Sequence, residues 1–371
     1  MYRAAGALDP DDLYVASRQA FIEMALAGIT AVGEFHYLHR DPAGNPYADS
    51  NELAKQVIRA ARDVGVRICL LRVGYQRAGF RSSPQPVQRR FFDASAESFC
   101  SAVARLREEM REDSLVSVGC APHSVRAVSK EWLQEIGRTQ RGCILHMHVA
   151  EQQQEVEACL QEHNLRPVQL LEELGLLGPH FTAVHAIYLS RPEINALARS
   201  GASVCACPTT EKNLGDGILQ ADVLSQSRIP LCLGSDSQAT IDLLLEAREL
   251  EGHLRLLRLR RAALDPGSGD PSGLAIELLK TATMRGARAL GLPSGELKVG
   301  SPADFFTVDW SHPSLLGASG DRALASLIFA AEKGAIRDVA VAGRLIVQDG
   351  QHRLLDESAS AFRALCEKVY A

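Results

Sequence analysis

The feature that most constrains this chain is the regular return of strand-length apolar runs, each followed by a stretch long and amphipathic enough for a helix. Such runs fall at residues 29–37, 67–75, 116–124, 144–151, 182–189, 203–210 and 231–238. Strands buried on both faces read as near-continuous apolar runs, so this alternation predicts a parallel sheet built of βα units. Helices are expected at 11–27, 51–64, 94–111, 130–138, 166–174 and 191–200, and after the seventh run at 241–257 and 274–290. Ser129 and Thr240 stand where helix N-caps would.

The polar residues are not scattered through this pattern. His36, Tyr37, His123, His148, Glu151, His185, Thr210 and Asp236 all fall at the C-terminal ends of successive strands. A (β/α)8 barrel of the TIM type gathers its active site there. Seven strands are one short, and the first readable element is the helix at 11–27, of a kind that should follow a strand. The expectation is therefore a barrel over residues 1–294 lacking its first strand, with unpaired edges at 29–37 and 231–238. From residue 295 to 371 the pattern changes to short strands within 296–309 and 336–351, with Gly295, Gly300, Pro302, Gly343 and Gly350 as turns. This segment reads as a partial β-sandwich appendage with a C-terminal helix. Residues 265–273 read as a flexible loop.

Composition enters as a set of exclusions. With 46% hydrophobic and 23% charged residues, the 371-residue chain is globular rather than disordered or fibrous. A net charge of -5 argues against a phosphate-backbone binder, so nucleic acid is not an expected partner. No apolar run approaches the roughly 20 residues of a membrane span, and the N-terminus lacks a signal peptide's pattern, which together suggest no membrane and a cytoplasmic location. Nine cysteines are too sparse for a disulfide scaffold. Those in strand-like runs, Cys69, Cys120, Cys143, Cys205, Cys207 and Cys232, read as small apolar residues.

His148-Val149-Ala150-Glu151 is the most informative tetrad. At the mouth of a barrel strand it sets a metal ligand beside a carboxylate able to shuttle protons. His185 ends the next strand, and Asp236 ends the last one, where a carboxylate can bind a divalent ion and deprotonate its water. His146 shares a face with His148 one layer deeper, and packing or support suits it. Arg126 can fork onto a substrate carboxylate, or form a structural pair with a loop acid. Tyr37 can donate to the same anion, or serve as a rim aromatic. The loop 207–217 either lines the pocket or shapes it. His36, His39, His163, His180, His253, His312 and His352 are given no role beyond solvated or capping positions, and the charge run 255–261 reads as a solvated face.

Taken in order, these segments resemble the metal-dependent amidohydrolase superfamily over nearly the whole chain. The resemblance is closest to its branch of deiminases that act on N-formimino-L-glutamate in histidine breakdown. It rests on Gly33-Glu34-Phe35-His36-Tyr37, His123-Ser124-Val125-Arg126, His146-Met147-His148 through Gln152, Val184-His185-Ala186, the loop from Cys207 to Gly217, and Leu233-Gly234-Ser235-Asp236-Ser237. Gly300-Ser301-Pro302-Ala303-Asp304 and Val341-Ala342-Gly343-Arg344 resemble the superfamily's sandwich domain. The resemblance implies that His148 and Asp236 bind one Zn2+, with Fe2+ as the alternative ion. It further implies that Glu151 shuttles protons, that His185 positions the attacking water, and that Tyr37, His123 and Arg126 hold the carboxylates of a small anionic substrate. The implied reaction is hydrolysis of the formimino group to N-formyl-L-glutamate and ammonia. In that superfamily the first strand ends in His-x-His, and none precedes residue 29 here. With two protein ligands in place of four, zinc is expected to be held poorly and activity of this chain to be low. Two other readings stay open, a deaminase of purines or other aromatic amines and a non-catalytic truncated paralogue, and a homodimer is left open.

Overall fold

A computed structural model describes residues 2–267 and 269–370. Ser268, within the segment read above as a flexible loop, lies outside the described residues. Among the described residues, seven strands pair in parallel and in sequence order: β1 (Ala31–His36), β2 (Arg67–Gly74), β3 (Val116–Pro122), β4 (Leu145–Val149), β5 (Phe181–His185), β6 (Ser203–Ala206) and β7 (Leu231–Leu233). Helices follow the strands, giving the α/β barrel fold expected from the sequence. Side chains such as Phe21, Ile22, Ile58, Leu70 and Phe181 are fully buried between the layers, each contributing about 1.5–3 kcal/mol of burial.

The ends of the elements are set by local chemistry. Ser129 caps the helix Lys130–Thr139 as expected, accepting from the Trp132 N–H. Thr240 does not cap; Asp242 accepts the Leu244 and Leu245 N–H groups at 3.0 and 3.1 Å and starts the helix Leu243–Arg258. The 203–210 run stops early because Pro208 opens the helix Pro208–Leu214, a position where the missing proline N–H costs nothing. The expected helix at 274–290 is two, Gly273–Ala282 and Met284–Ala289, broken at Thr283, where φ is -126° and ψ is -96°. The helix Gln153–His163 was not read from the sequence.

Beyond the barrel lie β8 (Phe305–Val308), β9 (Ile336–Val341) and β10 (Arg344–Val347), an antiparallel sheet in the order β10-β9-β8, and the helix Leu355–Tyr370. The expected strand material at 296–309 is reduced to the four residues of β8. A buried bidentate pair ties this sheet to the barrel: Asp304 accepts from Arg67 Nε and Nη2 at 2.9 and 3.0 Å.

Among the described residues, β1 pairs only with β2 and β7 only with β6. Their free edges face a cavity of about 700 Å³, lined by Val32 and Glu34 from one lip, Cys232 and Gly234 from the other, and Leu279 and Leu290 between. Three histidines expected to be solvated or capping are instead buried. His36 packs against His39, His39 hydrogen-bonds the Val73 carbonyl at 2.8 Å, and His352 the Val64 carbonyl at 3.1 Å. Among the described residues, no helix is long and apolar enough to cross a membrane.

Candidate active site

Every strand in the barrel runs the same way, so all seven C-terminal ends open on one face, and the polar residues read from the sequence meet there. Several backbones turn sharply at this rim. Ala150, His185, Ala186, Asp236 and Gln238 adopt left-handed φ values of 49°, 66°, 53°, 45° and 55°. For residues with a Cβ this conformation is strained, and such strain clusters at functional sites. Its local effect is to throw Glu151, His185 and Asp236 inward over the barrel mouth.

His148, His185 and Asp236 each offer a ligand atom within 4.8 Å of the others. The two imidazoles stack with centroids 5.5 Å apart. Each has one ring nitrogen already engaged: His148 Nδ1 lies 3.0 Å from the His123 carbonyl, and His185 Nδ1 lies 3.3 Å from Glu211 Oε1. In that tautomer His148 Nε2 carries the lone pair, and His185 Nε2 carries one once the ring has given up its second proton. A carbonyl or carboxylate behind the distal nitrogen is the arrangement that orients metal-ligating histidines. His185 Nε2 lies 3.9 Å from both Asp236 Oδ2 and Glu151 Oε1. Glu151 Oε2 lies 3.7 Å from Arg126 Nη2, beyond hydrogen-bond range. The backbone N–H groups of Ala150 and Glu151 are held by Glu155 at 3.1 and 3.3 Å. Rings of Tyr37 and Tyr75 meet His123 edge-on, with centroids 5.7 and 4.9 Å away.

Burial shapes the charge states. It pushes the Glu151 carboxyl up, an effect that His185 and Arg126 partly offset. It likewise raises Asp236 against the pull of His185. His148 falls to about 3, first through burial and then through His185, which keeps its imidazole neutral and available as a ligand. Burial, His148 and Arg126 together hold His123 well below the usual imidazole range. For His185, burial lowers the value, but the Glu211 hydrogen bond and the charges of Glu151, Glu211 and Asp236 outweigh it and raise it to about 9.

Seven of the residues singled out in the sequence lie at one mouth: Tyr37 after β1, His123 and Arg126 after β3, His148 and Glu151 at β4, His185 at the end of β5 and Asp236 after β7. The sequence assigned two residues to an ion; the structure gathers a third, His185, around the same point. Two nitrogen donors and one carboxylate match the three protein ligands of catalytic zinc sites, so the donor set fits a divalent ion. His146, as expected, lies deeper, its Nε2 2.8 Å from the Ala289 carbonyl. Sequence reasoning missed Glu211 and Glu155, the carboxylates behind the site. Both sit four residues past an N–H they accept, Cys207 at 2.8 Å and Glu151 at 3.3 Å, a spacing that could have flagged them.

The profile of the Amidohydrolase family matches residues 2–346. A formimidoylglutamate deiminase of Pseudomonas aeruginosa is 39% identical over 364 residues, covering 98% of this chain and 80% of its own length. A 5-methylthioadenosine/S-adenosylhomocysteine deaminase of Pyrococcus abyssi is 28% identical over 352 residues, 93% of this chain and 74% of its own. Among solved structures, an amidohydrolase from Brucella melitensis superposes with a TM-score of 0.92 at 34% identity, covering 100% of this chain and 82% of its own. An adenosine deaminase from Xanthomonas campestris with bound zinc gives 0.83 at 24% identity, over 99% and 77%, a likeness of fold.

Proposed function

Because this chain belongs to the amidohydrolase family, we propose that it hydrolyses the C–N bond of a small anionic amidine, N-formimino-L-glutamate, to N-formyl-L-glutamate and ammonia. The observation that carries this reading is the placement of Glu151. Its carboxylate stands between Arg126 on one side and His185 on the other, and Asp236 lies 3.9 Å from the same His185 Nε2. A proton carrier there has an anion grip and a cluster of ligand atoms as its two neighbours.

A divalent ion held by His148, His185 and Asp236 would supply Lewis acidity and a water of lowered pKa. The chain's own residues account for the rest. Arg126 meets the glutamate carboxylates as a planar fork, and Tyr37 and His123, which lie ring against ring beside it, complete the grip. Glu151 takes the proton of the attacking water and returns it to the departing nitrogen, so that ammonia leaves as the carbonyl forms. Burial raises its carboxyl above the ordinary range, which favours its taking a proton. Glu211 keeps His185 facing the reaction.

A second reading, an aromatic-amine deaminase, draws on the rings of Tyr37, Tyr75 and His123 and on the likeness to a thioadenosine deaminase. The two are separated by ammonia release from zinc-loaded protein, with N-formimino-L-glutamate and 5-methylthioadenosine offered in parallel. Turnover of the first alone supports the deiminase. Turnover of the second alone overturns it.

A further inference from the structure

The Arg126 guanidinium is held by no hydrogen bond among the described residues; Glu151, at 3.7 Å, is beyond that range. Its aim is therefore set by its backbone. Residues 124–128 form a tight turn in which the Ala127 and Val128 N–H groups donate to the Ser124 carbonyl at 3.1 and 3.0 Å. The Val125 and Arg126 carbonyls must find donors outside that turn. Arg77, just beyond the end of the neighbouring strand β2, supplies both: its Nε donates to the Arg126 carbonyl at 3.0 Å and its Nη2 to the Val125 carbonyl at 2.9 Å. The N–H groups of Gln76 and Arg77 each donate to the Ala127 carbonyl at 3.0 Å, and Gln76 Oε1 accepts the Ser129 N–H at 2.8 Å. The remaining arm of Arg77 reaches elsewhere. Its Nη1 pairs with Glu162 Oε1 at 2.8 Å, both side chains being largely buried, and His163 Nε2 lies 3.2 Å from the same oxygen. Glu162 stands in the last turn of the helix Gln153–His163, whose first turn carries Glu155, the residue that holds the Ala150 and Glu151 N–H groups. One helix thus has the proton carrier at its start and the anchor of Arg77 at its end.

We propose that Arg77, anchored by Glu162, is a positioning residue for the substrate anion: it fixes the turn that aims Arg126 and so sets the spacing between the anion grip and Glu151. A guanidinium suits this task, because its planar fork spans two carbonyls while a third nitrogen meets a carboxylate, a geometry that an ammonium does not reproduce. Arg77 itself touches no substrate. The inference rests on the reading of Arg126 as the group that grips a substrate carboxylate.

Two variants test it: Arg77→Lys keeps a cation beside Glu162 and removes the fork, and Arg77→Met removes both. In zinc-loaded protein each should raise KM for N-formimino-L-glutamate by about 10–100-fold while kcat changes little, since the hold on the substrate is what is lost. Calorimetric titration of metal-free protein with N-formyl-L-glutamate should show the same loss in Kd. Combined with Arg126→Met, Arg77→Lys should alter KM and Kd by no more than about twofold, because the residue it acts through is gone. A purely structural role would instead lower kcat and the urea midpoint, and would act equally in both backgrounds. Wild-type KM in both Arg77 variants beside a raised KM in Arg126→Met would overturn the positioning role and leave the anion grip standing. An Arg77→Lys effect undiminished in the Arg126→Met background would overturn it as well. Wild-type KM in Arg126→Met, or neither turnover nor product binding by the unmodified chain, would bring down the reading of Arg126 and this proposal with it. If Arg77→Met fails to fold, Arg77→Lys carries the decision.

Discussion

Glu211 offers the sharpest handle on the candidate metal centre because it touches no substrate and yet stands behind one of the three ligands. Its Oε1 accepts the Cys207 N–H at 2.8 Å and faces His185 Nδ1 at 3.3 Å, with the side chains of Glu211 and His185 2% and 1% exposed. Glu211→Leu keeps the approximate volume and removes the acceptor. The His185 Nδ1–H would then be buried without a partner, at about 1–3 kcal/mol, and the ring would be free to turn Nε2 away from His148 and Asp236. Losing such a supporting carboxylate costs about 10–100-fold in metal affinity, or about 1.4–2.7 kcal/mol. Glu211→Gln can retain both contacts through its amide oxygen and should stay within about threefold of wild type. Zinc affinity is measured by competition with a chromophoric chelator at fixed pH, alongside a melting curve to separate folding from binding. Equal affinity in Glu211→Leu and wild type, or equal losses in the Leu and Gln variants, would refute the orienting role.

Glu151→Gln should leave bound zinc unchanged by elemental analysis while turnover drops by about 10²–10⁴-fold; retention of a tenth of the activity would place the proton carrier elsewhere. Arg126→Met should raise KM for N-formimino-L-glutamate by an amount equivalent to about 2–5 kcal/mol and leave formamidine, which has no carboxylate, nearly unaffected, whereas equal losses on the two would end the anion-grip assignment. Burial pushes the Glu34 carboxyl from 4.5 to about 7, so the folded chain holds a proton that the unfolded chain releases between those values. Stability should therefore decline as pH rises through that window and level off above it, and Glu34→Gln should flatten the decline in urea midpoints; an unchanged slope would contradict this. Asp304→Ala strands the Arg67 guanidinium, whose side chain is 6% exposed, and should cost about 3–5 kcal/mol in urea unfolding; a loss below about 1 kcal/mol would show that the pair contributes little.

What was legible in the sequence follows from where the information is local. A strand buried on both faces must be apolar throughout, so β1 to β7 stand out as runs, and the residues at their ends mark the active face without any knowledge of pairing. The side chains behind the site were not legible, because their meaning lies in contacts across elements. Glu211 reads as one more polar residue in a loop until the helix Pro208–Leu214 swings it under His185. His36 and His39 look like loop residues until the chain folds them against Arg72 and β2. Backbone geometry was equally hidden: nothing in Thr283 announces that it breaks a helix, and nothing in the pair His185-Ala186 announces two successive left-handed residues.

A closed barrel has its girth fixed by an unbroken hoop of ladder hydrogen bonds. Among the described residues that hoop has no ladder between β1 and β7, and side chains such as Leu279 and Leu290 lie between the two lips. Leu290 is the tightest of these, lying 2.5 Å from where a Cβ on Gly33 would stand. Tyr37 rides on one lip of the seam and Asp236 on the other, both bordering the cavity. The mouth thus behaves as a calliper whose jaws carry the substrate grip and the ion's carboxylate. A methylene gained or lost at Leu290 resets the opening between them, from a position that touches neither substrate nor ion.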